Sequence, residues 1–166
     1  MSRKNEYSEY ALKNSKDGHS EFITNSNKKL KSLTDLYKKI KSDYQSAKNK
    51  PTALIQLPKM ENLSVRCLKD CGDLKKTFDF EIKRIQKNID KSDDKIEELE
   101  YKKRYYSSNS DRKRAGVYSD YIEMEYIRNK VFTKQLKETK SCLYETMSLE
   151  SKFEELYQSI STRRKI

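Results

Sequence analysis

A chain of 166 residues with 34% hydrophobic and 38% charged side chains departs from the average soluble domain, at about 45–50% apolar and about 25% charged, and this argues against a compact enzyme core. Three glycines, two prolines and no tryptophan leave too little turn chemistry for a many-stranded sheet or a phosphate-cradling loop. The formal charge of +11 favours anionic partners such as nucleic acid, acidic protein surfaces or anionic lipid.

Residues 1-20, with Gly18, scattered charge and few aliphatics, read as a disordered basic tail. A first helix is expected over about 22-49, its apolar seam running Leu30, Leu33, Tyr37, Ile40, Tyr44 and Ala47 in steps of three and four. Pro51 and Pro58 bound a linker or corner over 51-58. A second helix follows over about 59-106. Its seam begins Met60, Leu63, Cys67, Cys71, Leu74, Phe78 and Ile82, an eleven-residue spacing, and continues in heptads through Ile85, Ile89, Ser92, Ile96 and Leu99. Ser, Asn and Asp residues closed by Gly116 mark a tip turn over 107-116. A third helix over about 117-166 carries a less regular seam, with Leu136, Thr139, Leu143, Met147, Glu150, Phe153, Tyr157 and Ile160 in its second half.

Two arms of nearly equal length, each some 70 Å if helical throughout, predict an antiparallel pair. A turn near residue 111 makes facing residue numbers sum to about 221. That register sets Leu99 against Tyr121 and Met124, Phe78 against Leu143, Cys67 against Phe153 and Met60 against Ile160. The expected fold is all-α: a long antiparallel helical hairpin or coiled coil with a shorter third helix packed at its base, forming a single elongated domain over 21-166. The base would be a three-helix bundle and the tip half, roughly 88-132, a two-stranded coiled coil. Two strands bury little apolar surface, so self-association or a helical protein partner is expected.

Little in the chain suggests catalysis. Cys67 and Cys71 stand four apart, but a structural zinc site needs four ligands, and small thiols on a seam read as core. His19 is the only histidine and falls in the expected tail, so it reads as functionally silent. The acidic run Asp93 to Glu100 lacks the glycine and ligand spacing of a calcium loop, and reads as a charged helix face. No catalytic residue, cofactor or metal is expected. Three cysteines cannot all pair within one chain, which suits a reducing compartment. No apolar run approaches the roughly 20 residues of a membrane span, and no signal-peptide core follows Met-Ser-Arg-Lys-Asn. The expected location is intracellular, cytoplasmic or nuclear.

The tip carries the strongest local signal. Lys102, Lys103, Arg104, Arg112, Lys113 and Arg114 bracket the turn among Tyr101, Tyr105, Tyr106 and Tyr118, which combines cations for phosphates with rings for stacking. A solvated turn with basic flanks explains the same residues, and the serines there could accept phosphate. Tyr118, Tyr121, Ile122, Tyr126 and Ile127 crowd more than one helical face, as a protein interface would. Arg163, Arg164 and Lys165 form a second basic cluster that reads equally as a tail or a site. The leading expectation is a non-enzymatic coiled-coil scaffold or adaptor subunit of an intracellular multiprotein assembly, of cytoskeletal, chromosome-associated or vesicle-tethering type. A nucleic-acid-binding module using the basic tip is the alternative, and a peripheral membrane-binding helical module the third.

Overall fold

The computed structural model describes the backbone of residues 3–165, and the side chains of residues 11–51 and 55–165. The described residues form three long helices and no strand: α1 (Arg3–Ala47), α2 (Leu57–Ser108) and α3 (Arg112–Arg164), with a 3-10 turn (Pro51–Gln56) between α1 and α2. Each helix contributes to both of two compact units. The first takes the chain up to Ser20 together with Phe80–Thr139, and the second takes Glu21–Asp79 together with Lys140–Ile166.

The second unit holds the apolar core. Leu30, Leu33 and Ile40 of α1 meet Cys67, Cys71, Leu74 and Phe78 of α2 and Leu149, Phe153 and Ile160 of α3. Phe22 packs edge-on against Phe78 at 5.9 Å, and Tyr37 against Phe153 at 5.4 Å. Each fully buried large side chain contributes about 1.5–3 kcal/mol over an exposed one. Here α2 and α3 run in opposite directions: Glu61 pairs with Arg164 and Lys75 with Glu150, at 2.8 and 2.7 Å. By contrast α1 and α3 run together, with Asn27 beside Cys142, Tyr44 beside Ser159, and the Arg163 guanidinium donating to the Lys48 carbonyl. That last contact satisfies a carbonyl just past the end of α1, where the helix supplies no donor. Arg163 and Arg164 thus hold the ends of α1 and α2.

Among the described residues, the buried apolar side chains of the first unit are fewer: Ile85, Ile96, Leu99 and Ala115. The Asn129 amide donates to Asp93 at 2.8 Å, and Tyr118 stacks on Tyr106. In both units the α2 and α3 contacts stay within a few residues of the register expected from the sequence.

Several expectations are corrected. The disordered tail gives way to helix from Arg3 onward, so α1 has 45 residues and is not a short helix at the base. Over the described side chains, Leu12, Ser15, His19, Phe22 and Ser26 turn inward, and their steps of three and four extend the α1 stripe through polar residues. Met1 and Ser2, also assigned to that tail, lie outside the described residues. The His19 ring reaches Glu138 and the Gln135 amide reaches the Ser15 carbonyl, so this part of α1 packs against α3 in the first unit, just outside the 88-132 stretch expected to be two-stranded. Helix boundaries also move, because Pro58 sits in the first turn of α2, where its missing N–H costs nothing, and the tip turn shrinks to 109-111. The side chains of 52–54 in the expected linker lie outside the described residues.

The seams differ in phase as well. On α2 the fully buried residue is Ser64, with Leu63 only half-buried, and Glu81 replaces Ile82. The expected eleven-residue spacing therefore becomes a heptad: Met60, Ser64, Cys67, Cys71, Leu74, Phe78, Glu81 and Ile85. On α3 the seam runs Gln135, Thr139, Cys142, Thr146, Leu149, Phe153, Leu156 and Ile160. Between 135 and 156 most of it lies one residue before the expected line, and Met147 faces outward. The reason is chemical: Ser64, Thr139 and Thr146 each donate to the carbonyl four residues back at 2.8–2.9 Å, so each hydroxyl is satisfied within its own helix and can be buried.

The α2–α3 turn is closed by its own backbone. Asp111 N–H donates to the Tyr106 carbonyl and Ser110 N–H to that of Ser107, at 2.9 and 3.3 Å, with Ser110 in the left-handed region at φ 61°. This is the helix stop that usually places glycine at that position. Asp111 then caps α3, its carboxylate accepting from Arg114 N–H at 3.1 Å. Ser110→Gly is expected to stabilise the chain by up to about 1 kcal/mol by relieving the left-handed backbone. Asp111→Ala is expected to destabilise it by about 1 kcal/mol. Urea unfolding followed by circular dichroism at 222 nm measures both.

Candidate interaction site at the helical turn

The tight turn brings the end of α2 and the start of α3 together, and with them all six basic residues singled out in the sequence. Lys103, Arg104, Arg112, Lys113 and Arg114 are exposed and Lys102 is half-buried. Lys102 pairs with Glu98 at 2.8 Å, and Arg114 lies 3.5 Å from Asp111. The other four have no ion-pair partner among the described residues. The Lys102 ammonium, with help from Lys95, holds the Glu98 carboxyl below the usual range, and Glu98 in turn raises Lys102.

Tyrosines line the same turn. Tyr105 meets Tyr106 edge-on at 5.3 Å, Tyr106 stacks on Tyr118 at 5.5 Å with planes 7° apart, and Tyr118 meets Tyr121 at 6.2 Å. The Arg114 guanidinium lies 5.4 Å from the Tyr106 ring centre, within cation–π range. Tyr118 and Tyr121, expected at a protein interface, therefore join a ladder across the two helices. Ile122 is half-buried, whereas Tyr126 and Ile127 face solvent. Tyr126 donates to the Glu100 carboxylate at 3.2 Å, and this bond to a charged group raises the phenol above its ordinary value. On α2, Tyr101 is 66% exposed and Tyr105 56%. Four residues apart, they share one helix face.

The remaining chemistry-bearing residues do not assemble a reactive centre. Cys67, Cys71 and Cys142 are buried along the seams. Among the described residues, no group of three or more His, Cys, Asp or Glu side chains is placed to hold a metal ion. His19, expected in a loose tail, is buried with Nε2 3.1 Å from Glu138; its place at the three-four spacing of α1 was the available signal. In the acidic run, Asp93 accepts from Asn129, Glu98 pairs with two lysines and Glu100 accepts from Tyr126. No helix of the described residues is long and apolar enough to cross a membrane. No protein-family model, curated protein or solved structure matches this chain.

Burial pushes the Cys71 thiol from 9.0 to about 12, with the Glu150 carboxylate adding to the shift, and burial also raises Cys67. The reactive species is the thiolate, so both thiols are expected to resist maleimide in the native protein and to react once it is unfolded in urea. The same shift makes stability pH-dependent. Below pH 9 both folded and unfolded chains keep the Cys71 proton. Above it the unfolded chain releases a proton that the folded chain holds, so stability falls as pH rises towards 12. Urea titrations are expected to show a loss of about 1 kcal/mol per pH unit above pH 9, reduced in Cys71→Ser, whose hydroxyl can bond within the helix as Ser64 does.

Proposed function

We propose that this chain is a non-enzymatic scaffold or adaptor subunit of an intracellular multiprotein assembly, with α2 and α3 acting as an antiparallel coiled-coil hairpin that presents the turn to a helical partner. The observation that carries this reading is the exposure of apolar and aromatic side chains on the unit with the thinner core: Tyr101, Tyr105, Val117, Tyr126 and Ile127 all face solvent. Aromatic side chains with a wet hydroxyl and an apolar body suit a protein interface. The double substitution Tyr126→Glu with Ile127→Glu changes exposed positions only and is expected to leave the helical circular dichroism unchanged. In affinity purification with the full chain as bait, it is expected to lose a co-purifying chain that the wild type retains at stoichiometric yield. Equal recovery by wild type and variant would overturn the reading.

One observation favours a second reading. Lys103, Arg104, Arg112 and Lys113 are exposed and without ion-pair partners among the described residues, and the exposed Tyr101 and Tyr105 stand in the same last turns of α2 as Lys103 and Arg104. Cations beside stacking surfaces suit single-stranded nucleic acid. If the turn binds it, fluorescence anisotropy with a labelled single-stranded oligonucleotide is expected to show affinity falling with salt. Changing Arg112, Lys113 and Arg114 to Glu is then expected to lower the logarithmic salt slope by about 2. Absence of binding at low salt removes this alternative.

A further inference from the structure

The second unit has two surface features besides its interior packing, although two core residues, Leu33 and Leu74, also floor the first of them. One is a groove of about 530 Å³ between α1 and α2. Leu33, Leu36 and Leu74 make it apolar, while Lys28 and Lys29 line it on α1 and Asp70 and Asp73 on α2. An occupant must therefore offer an apolar stripe with an acidic group for the lysines and a basic group for the aspartates.

The other feature is a stripe on the outer side of α3. Tyr144 is 64% exposed and Met147 47%, away from the buried line of Cys142, Thr146 and Leu149. Steps of four and three extend this stripe from Lys140 through Tyr144, Met147 and Ser151 to Glu154, so the five residues share one helix face. All five are exposed. The face presents a base at one end, two large apolar side chains next to it, and an acid at the other end. That is the charge order the groove requires.

We infer that the groove between α1 and α2 receives the Lys140–Glu154 face of α3 from a second copy of this chain, with Tyr144 and Met147 against Leu33, Leu36 and Leu74. Lys140 then meets the aspartates, Glu154 meets Lys28 and Lys29, and the incoming helix packs as a fourth beside α1 and α2. Groove and stripe are different surfaces of one chain, so the contact is heterologous and each added copy leaves a free groove and a free stripe at the ends. This deepens the scaffold reading, on which it rests, by naming one partner.

Sedimentation velocity of the full chain over about 5 to about 500 µM, the range of weak contacts, tests it with two variants altered only at exposed positions. Asp70→Lys with Asp73→Lys spoils the groove and leaves the stripe. Tyr144→Glu with Met147→Glu spoils the stripe and leaves the groove. The wild-type average mass is expected to rise with concentration, and each variant alone is expected to weaken association by about tenfold or more. An equimolar mixture of the two is expected to form a dimer, because one supplies an intact groove and the other an intact stripe. A wild type that stays monomeric, variants that associate as well as wild type, or a mixture that stays monomeric would each overturn the inference. None of these results bears on the Tyr126 and Ile127 capture experiment, which decides the scaffold reading separately.

Discussion

Hydroxyl groups that find their acceptors inside their own helix are the condition on which the packing of this chain rests. Ser64, Thr139 and Thr146 lie fully buried, each donating to a carbonyl four residues earlier. An unsatisfied hydroxyl in the same place costs roughly 1–3 kcal/mol, and three of them would cancel the gain from one or two buried phenylalanines. With the hydroxyls satisfied, the seam can include small polar residues and still exclude water. A chain with a modest apolar content thereby keeps three helices packed over many turns.

That economy is unevenly spread. The second unit combines its small residues with Phe78, Phe153, Ile40 and Ile160, all almost completely buried. Among the described residues, the first unit relies on Ile85, Ile96, Leu99 and Ala115 and otherwise buries Ser92, Gln135, Thr139, His19 and Glu81. Contacts there include polar bridges such as Asn129 to Asp93 and His19 to Glu138. Local opening follows the density of buried apolar contact, so the first unit has the lower reserve against it. It also bears the exposed Tyr101, Tyr105 and Tyr126.

How much of this was legible in the sequence depended on which side chains marked the helices. Where large aliphatics set the phase, as at Leu30, Leu33 and Ile40 or at Ile96 and Leu99, the residues expected inside are inside. Where the buried position was Ser64, Thr146 or Gln135, the stripe was drawn through the nearest large residue, Leu63, Met147 or Leu136. Hydropathy cannot report that a threonine is satisfied by its own helix. The same blindness started α1 too late, since Ser15, His19 and Ser26 mark its inner face. The turn was placed correctly but drawn too long, because Ser107 and Ser108 read as breakers yet complete the last turn of α2, and Ser110 takes the backbone conformation that glycine usually supplies. The groove left no simple pattern, since it needs residues from two helices and the distance between them. In the turn, chain proximity alone gathered the six cations, whereas the stacking of Tyr106 on Tyr118 also depends on helix register.

The two ends of α3 use their basic residues in opposite ways. Arg163 and Arg164 sit in its last turn, where the helix field favours cations, and both contact other helices, at the Lys48 carbonyl and at Glu61. Their stabilising role needs no external partner. Arg112, Lys113 and Arg114 occupy the first turn, which holds no acidic residue, and there the same field disfavours each cation by about 0.3–1 kcal/mol. Only Arg114 recovers interactions locally, with Asp111 and the Tyr106 ring. Arg112 and Lys113 contribute no ion pair among the described residues. Local folding energy gives no reason for unpaired cations in that first turn, whereas an anionic group on a partner, as the proposed second reading supposes, would offset the unfavourable helix field.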